Sequence, residues 1–248
     1  MCSIRLGAGM DARVASLSLA AARGRPLAGA ESRLMEVPAP LAALFPEGGI
    51  RRGTTVAVGP MPGGCSLSLV LAGAVTGRGG WAAAVGMPSL GLVAAAELGV
   101  ELRRLALVPA PGGQWPAVVA ALVDGFDLIL VRPPARVRPV DARRLAARVR
   151  ERGAVMVVVD TPGWPESPDI RLSAGPSAWE GLGEGHGLLR ARHMEVVATG
   201  RRVGGRERRR SVWLPAPGGG LADAGPGVAG TRDRAPAPGP APALEVAG

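Results

Sequence analysis

Lysine is absent from this 248-residue chain, and so is tyrosine; all 29 basic residues are arginines. The first absence removes the usual point-charge partner for phosphate. The second, with only two Phe, leaves a core that must be built from Ala, Val and Leu, and makes the five Trp conspicuous; several are expected to pack. Two cysteines, Cys2 and Cys65, are too few for a disulfide framework, and no C-x-x-C or Cys/His cluster suggests a metal site. That usage fits a reducing cytoplasm. Long apolar runs are missing too: 67–75 and 92–96 fall well short of the roughly 20 residues that span a bilayer. The N-terminus carries no basic segment followed by a continuous apolar one, so a cytoplasmic protein with no membrane partner is expected.

What is present bounds the architecture. A chain of 25.1 kDa with 47% hydrophobic residues suits one well-buried domain with tails. A formal net charge of +9 and a pI near 11.4 favour an anionic partner: nucleic acid, an acidic protein surface or a lipid headgroup layer. An arginine-only basic set also points to a GC-rich coding sequence, which dilutes that inference.

Along the chain, 11–22 reads as a short helix capped by Asp11, followed by a Gly/Pro-broken linker, so 1–40 is expected to be an N-terminal arm. The core domain is expected over 41–214. Strands at 54–58, 81–86, 104–108, 127–131 and 154–159 alternate with helices at 66–76, 90–98, 115–124 and 140–152. This rhythm predicts an α/β fold with a mostly parallel central sheet and helices on both faces. Several helices stop at a glycine, as at Gly99, Gly125 and Gly153. Segments 169–173, 188–199 and 211–214 read as antiparallel strands added at the C-terminal side. The stretch 215–248 is dominated by Pro, Gly and Ala and is expected to be disordered.

One octapeptide carries chemical information. Gly59-Pro60-Met61-Pro62-Gly63-Gly64-Cys65-Ser66 occupies the frame of a phosphate-binding loop, G-x-x-x-x-G-K-[ST], between a predicted strand and a predicted helix. Cys65 stands where the lysine belongs. A thiol is a weak donor and at a helix N-terminus tends toward the anion, so it cannot replace the ammonium. Losing one such buried, charge-assisted contact costs about 2–5 kcal/mol, roughly thirty-fold or more in affinity. Pro62 removes a backbone N–H from the same cradle. The competing readings are a plain connector after a strand, with Cys65 a small buried apolar residue.

The approach to this loop, Leu44-Phe45-Pro46-Glu47-Gly48-Gly49-Ile50-Arg51-Arg52-Gly53-Thr54-Thr55-Val56-Ala57-Val58-Gly59-Pro60, resembles that of RecA recombinases, as does the order of elements after it. More narrowly the chain resembles the ImuA-type proteins, RecA relatives of actinobacteria; the stretches 80–86, 105–109 and 183–187 match. The resemblance covers about 41–214. It implies a RecA-like P-loop fold and an adaptor in the DNA damage response that supports error-prone translesion synthesis. The implied partners are a Y-family-like polymerase protein, an error-prone replicative-type polymerase and single-stranded DNA, with nucleoid association when engaged.

The family's catalytic residues do not carry over. A RecA-type ATPase places an acid after the strand 81–86, where this chain has Met87 and Pro88; it ends the strand 127–131 in an aspartate, where this chain has Arg132. Asp160 follows the next strand and reads as a turn or cap residue before Thr161-Pro162-Gly163. Ser66 keeps the metal-ligating hydroxyl, but without phosphate its expected role is to cap the following helix. Gly59, Gly63, Gly64, Cys65 and Ser66 are therefore read as a relic phosphate loop, with no catalytic residue, no metal and no cofactor expected. ATP with magnesium enters only under an alternative, a weak or partner-activated ATPase in which an arginine from elsewhere replaces the lysine. A regulatory binder such as a division inhibitor is the other alternative.

Basic residues supply the contact candidates. Of the two segments that the resemblance assigns to DNA binding, the first holds Arg132, Arg136 and Arg138, and the second, 161–168, has no basic residue and one aromatic, Trp164. Eight arginines lie between Arg190 and Arg210, with Arg201, Arg202, Arg206, Arg208, Arg209 and Arg210 around Gly204-Gly205. This patch suits phosphates, an acidic partner, or simply a solvated hairpin. His186 and His193 have no nucleophile or metal partner in sequence.

Overall fold

Four short runs, almost wholly apolar and buried at every position, make the centre of the molecule: β3 (Thr55–Val58), β4 (Ala82–Val85), β6 (Leu128–Val131) and β7 (Val155–Val159). Strands buried at every position need cover on both faces, which flanking helices supply. The computed structural model describes residues 33–159, 164–182 and 187–225. The expected helix at 11–22, Asp160 to Gly163, Glu184, His186 and the stretch 226–248 lie outside the described residues.

The full sheet has nine strands in the order β11-β10-β9-β8-β3-β7-β6-β4-β5. The segment from β8 (Ile170–Leu182) through β3, β7, β6 and β4 to β5 (Leu105–Val108) is parallel. Antiparallel β9 (Gly187–Thr199), β10 (Arg208–Trp213) and β11 (Ala222–Asp223) extend the β8 side. The α/β class and the mixed sheet are as expected from the sequence.

One core lies between the sheet and the helices α2 (Gly64–Thr76) and α3 (Leu92–Glu97); the other holds α4 (Trp115–Val123) and α5 (Pro139–Arg152). α5 is amphipathic in the ordinary way: Ala142, Leu145, Ala146 and Val149 are buried, Arg143, Arg144 and Arg150 are wet, and Gly153 closes it in the left-handed region. α2 is different, with 11 of its 13 residues buried. Its buried hydroxyls bond back within the helix, Ser68 to the Gly64 carbonyl and Thr76 to the Ala72 carbonyl, both at 2.9 Å.

The domain edges lie further out than the sequence suggested. β1 (Leu34–Glu36) pairs antiparallel with β2 (Gly49–Arg51) around α1 (Ala39–Ala42), and Met35, Val37 and Leu41 join the α2 core. Residues 34–40 are thus part of the fold instead of a linker, because α2 needs cover on its outer side. At the other end, disorder was expected from 215, yet Leu214 and Ala216 are buried and β11 pairs with β10. Gly219 and Gly220, both at positive φ, allow the reversal that brings the chain back. Among the described residues no helix is long and apolar enough to cross a membrane.

Candidate functional site

β3 sits inside the parallel part of the sheet, between β7 and β8, and its carboxyl end opens into the Gly-rich loop. Loops at such positions are where open α/β sheets place ligands. The Gly59 N–H is held by the Leu172 carbonyl of β8 at 3.1 Å, and the Gly64 N–H closes a turn on the Met61 carbonyl at 3.0 Å. Gly63 takes φ of 87° as it enters α2. A β-carbon on Gly64 would crowd the Gly59 carbonyl and a Val58 methyl, each at 3.2 Å. The helix begins at Gly64, so Ser66 falls inside the first turn and is not the expected cap; no side chain caps α2.

The relic-loop residues come together as expected, and with them two arginines. A cavity of about 190 Å³ is lined by Gly59, Met61, Gly63, Gly64, Cys65 and Ser66 on one side and by Val159, Arg132 and Arg192 on the other. Arg132 follows β6 and was a sequence candidate. Arg192 was not: it comes from β9, far along the chain, and only the sheet order brings it here. It is 5% exposed. Its Nε donates to the Leu214 carbonyl at 2.8 Å, and its guanidinium lies 5.1 Å from the Trp179 ring and so close to Gly63 that a β-carbon there would collide with it. Among the described residues it forms no ion pair. Burial pulls its pKa below the usual guanidinium value.

This lining does not fit a metal-bound triphosphate. Met87, where an acid would activate water, is buried at 4% exposure and has no basic atom to accept a proton. Arg132 presents a cation where a metal ligand is needed, and among the described residues no carboxylate lines the cavity.

Comparison with known proteins places this geometry in a family. Residues 43–166 match the model of the MT3502 N-terminal domain, half of the chain. The chain belongs to this family. It is also similar to "Uncharacterized protein Rv3395c" of Mycobacterium tuberculosis, at 40% identity over 124 residues, 50% of this chain and 60% of that protein. The MT3502 N-terminal domain match thus spans the loop, β3 to β7 and Arg132, and stops short of β8 and β9, which bring Arg192.

Outside that MT3502 segment, Arg201 and Arg202 lie at the amino ends of β3 and β8, the opposite end of these strands from the loop. Arg201 and Arg202 converge on Asp169, which is 2% exposed and accepts the Thr55 N–H at 2.9 Å; Arg201 Nε donates to it at 2.6 Å. Arg208 donates to the Val203 and Ala43 carbonyls, Arg209 to Glu207 and Glu195, and Arg210 approaches Asp223 at 4.0 Å. These side chains hold the fold's lower edge. Arg206 and Arg136 are exposed and form no ion pair among the described residues, while Arg138 pairs with Asp141 at 2.7 Å. Trp164 packs on Trp115, with ring centroids 6.5 Å apart, and is no stacking platform. His193 packs edge-on to Trp213, and among the described residues its Nε2 makes no hydrogen bond.

Sequence reasoning had no signal for the far end of β8 and β9. β8 pairs with β3 only through residues 170–172 and bulges between Ala174 and Ser177. Residues 177–182 and 187–192 then run on as a two-stranded arm with Trp179, Leu182, Leu188 and Leu189 exposed.

Proposed function

We propose that this protein is a non-catalytic RecA-like adaptor in the DNA damage response, acting by contact with the error-prone translesion machinery. The observation that carries the non-catalytic half is the substitution of three chemical roles: Cys65 in the loop for the phosphate-binding lysine, buried Met87 after β4 for the water-activating acid and Arg132 after β6 for the metal-binding acid. RecA descent is supported by the Gly-rich loop between β3 and α2 in a mostly parallel, helix-covered sheet. The translesion partners rest on the resemblance to ImuA-type proteins. The exposed β8–β9 arm is the contact face this reading favours over the Arg201–Arg210 patch, whose charges are mostly taken up within the fold.

Two measurements test the two halves. Purified protein incubated with Mg·ATP is expected to release no phosphate above background, and steady turnover that Ser66→Ala abolishes would end the scaffold reading. Pull-down of the full chain from DNA-damaged cells is expected to recover a polymerase-family protein, with recovery lost in a Leu188→Ser/Leu189→Ser variant. Recovery of metabolic enzymes alone would refute the mutagenesis role.

A further inference from the structure

A second cavity, of about 780 Å³, opens at the amino ends of β3 and β8, the far end of these strands from the Gly-rich loop. Open α/β sheets place ligands outside the carboxyl ends of their strands, so this is not the site the fold class provides. Its floor is buried and polar: Thr55 is 5% exposed and Asp169 2%. Three arginines from two elements stand in its walls, Arg150 from the last turn of α5 and Arg201 and Arg202 from the turn after β9. Glu166 and Ser167, on the segment that leads into β8, add an acceptor and a hydroxyl. The volume falls within the roughly 300–1,000 Å³ of small-molecule sites, while a lining of guanidiniums, carboxylates and hydroxyls excludes an apolar occupant.

The arginines are positioned by the fold. Asp169 accepts the Thr55 N–H at 2.9 Å and takes Arg201 through Nε at 2.6 Å and through Nη2. Both contacts use one edge of a planar group with five donors, so the Nη1–Nη2 end is left over on a side chain 66% exposed. The Arg202 backbone N–H donates to the Asp169 carbonyl at 3.2 Å, and its Nε stands 3.7 Å from the carboxylate that holds Arg201. Across the cavity α5 is set by close packing, since a β-carbon on Gly53 would lie 3.2 Å from the Arg150 Cα. A guanidinium fixed along one edge by a buried acid presents its other edge without first losing rotamer freedom.

We infer that this cavity binds a phosphate monoester of a hydroxylated small molecule, a sugar phosphate or a nucleoside monophosphate. Arg150, Arg201 and Arg202 hold the phosphate, and Thr55, Ser167 and Glu166 receive the hydroxyls. A phosphate monoester carries about two negative charges at neutral pH and three terminal oxygens, which suits three guanidiniums better than the single charge and two oxygens of a carboxylate. The acceptor Glu166, approached from outside the cavity by Arg143 at 4.0 Å, calls for a body that donates hydrogen bonds, which inorganic phosphate lacks. No bond is broken on binding. The inference rests neither on the Gly-rich loop nor on any statement about protein partners.

Isothermal titration of the full chain in EDTA, at constant ionic strength set with chloride, tests it with AMP, ribose 5-phosphate, inorganic phosphate and citrate as probes. AMP or ribose 5-phosphate is expected to bind saturably and about tenfold or more tighter than inorganic phosphate. Arg150→Ala and Arg201→Ala remove exposed side chains and leave the core intact; each is expected to weaken binding about tenfold or more, the weight of one charge-assisted contact. Amide exchange read by mass spectrometry locates the ligand, with protection expected over 164–169 and 200–203. AMP more than about tenfold tighter than ribose 5-phosphate makes the occupant a nucleotide, and parity makes it a sugar phosphate; both uphold the site. No saturable heat with either ester, binding unchanged in the two variants, or protection over 59–66 instead overturns it. Citrate tighter than both esters, or inorganic phosphate as tight as they are, overturns the ester assignment. These titrations measure neither turnover nor partner capture, so the site and the adaptor role fail separately.

Discussion

Asp169 shows how a single carboxylate can organise an edge. It is nearly inaccessible, accepts the first N–H of β3 and draws in Arg201 and Arg202 from the turn after β9. Removing it strands two cations and a backbone donor, whereas removing Arg201, whose side chain is 66% exposed, leaves Arg202 near the acid. Asp169→Ala is therefore expected to lower stability by about 3–5 kcal/mol and Arg201→Ala by less than about 1 kcal/mol, read from urea unfolding midpoints. Equal effects would mean that the arginines do not serve this acid. Cys65 was legible because the motif frame is local, eight consecutive residues between a strand and a helix. Arg192 was not, because nothing near it in sequence distinguishes it from seven neighbouring arginines. Its role exists only once β8 is laid beside β3 and β9 beside β8.

The elements that sequence periodicity located are those long enough to have a period. β3 to β7 and α2 to α5 fall within about two residues of their expected bounds, since a wholly apolar strand or a 3.6-residue stripe leaves a clear pattern. β1, β2, α1 and β11 have two to four residues each, too few to show any repeat, and their pairing is decided by what α2 and β10 leave uncovered. α2 itself is packed without slack. A β-carbon on Gly73 would lie 2.6 Å from the Leu98 carbonyl at the end of α3, and backbone cannot swing away as a side chain can. Helix propensity alone favours alanine there by about 1 kcal/mol. Overpacking outweighs it, so Gly73→Ala is expected to destabilise by about 1–3 kcal/mol in thermal or urea unfolding. A neutral or stabilising result would show that α3 is free to shift.

A net charge of +9 described the chain correctly and located nothing, since it averages over the described fold's two unlike edges. At the amino ends of β3 and β8 the arginines are matched by acids; at the carboxyl end of β3 the loop is met by Arg132 and Arg192. Arg192 also stands between the turn at Gly63 and the indole of Trp179 on the β8–β9 arm. From residue 192 toward its tip the arm has only its own two strands for support, and an isolated pair of strands is marginal in water. In Arg192→Met, amide exchange over 177–182 and 187–191 is expected to quicken by about tenfold or more while β3 to β7 keep their protection, as mass spectrometry would resolve. The guanidinium is then a rivet: with it in place the projecting ribbon is held against the turn at Gly63, and without it the ribbon's tip is the first part of the fold to work loose.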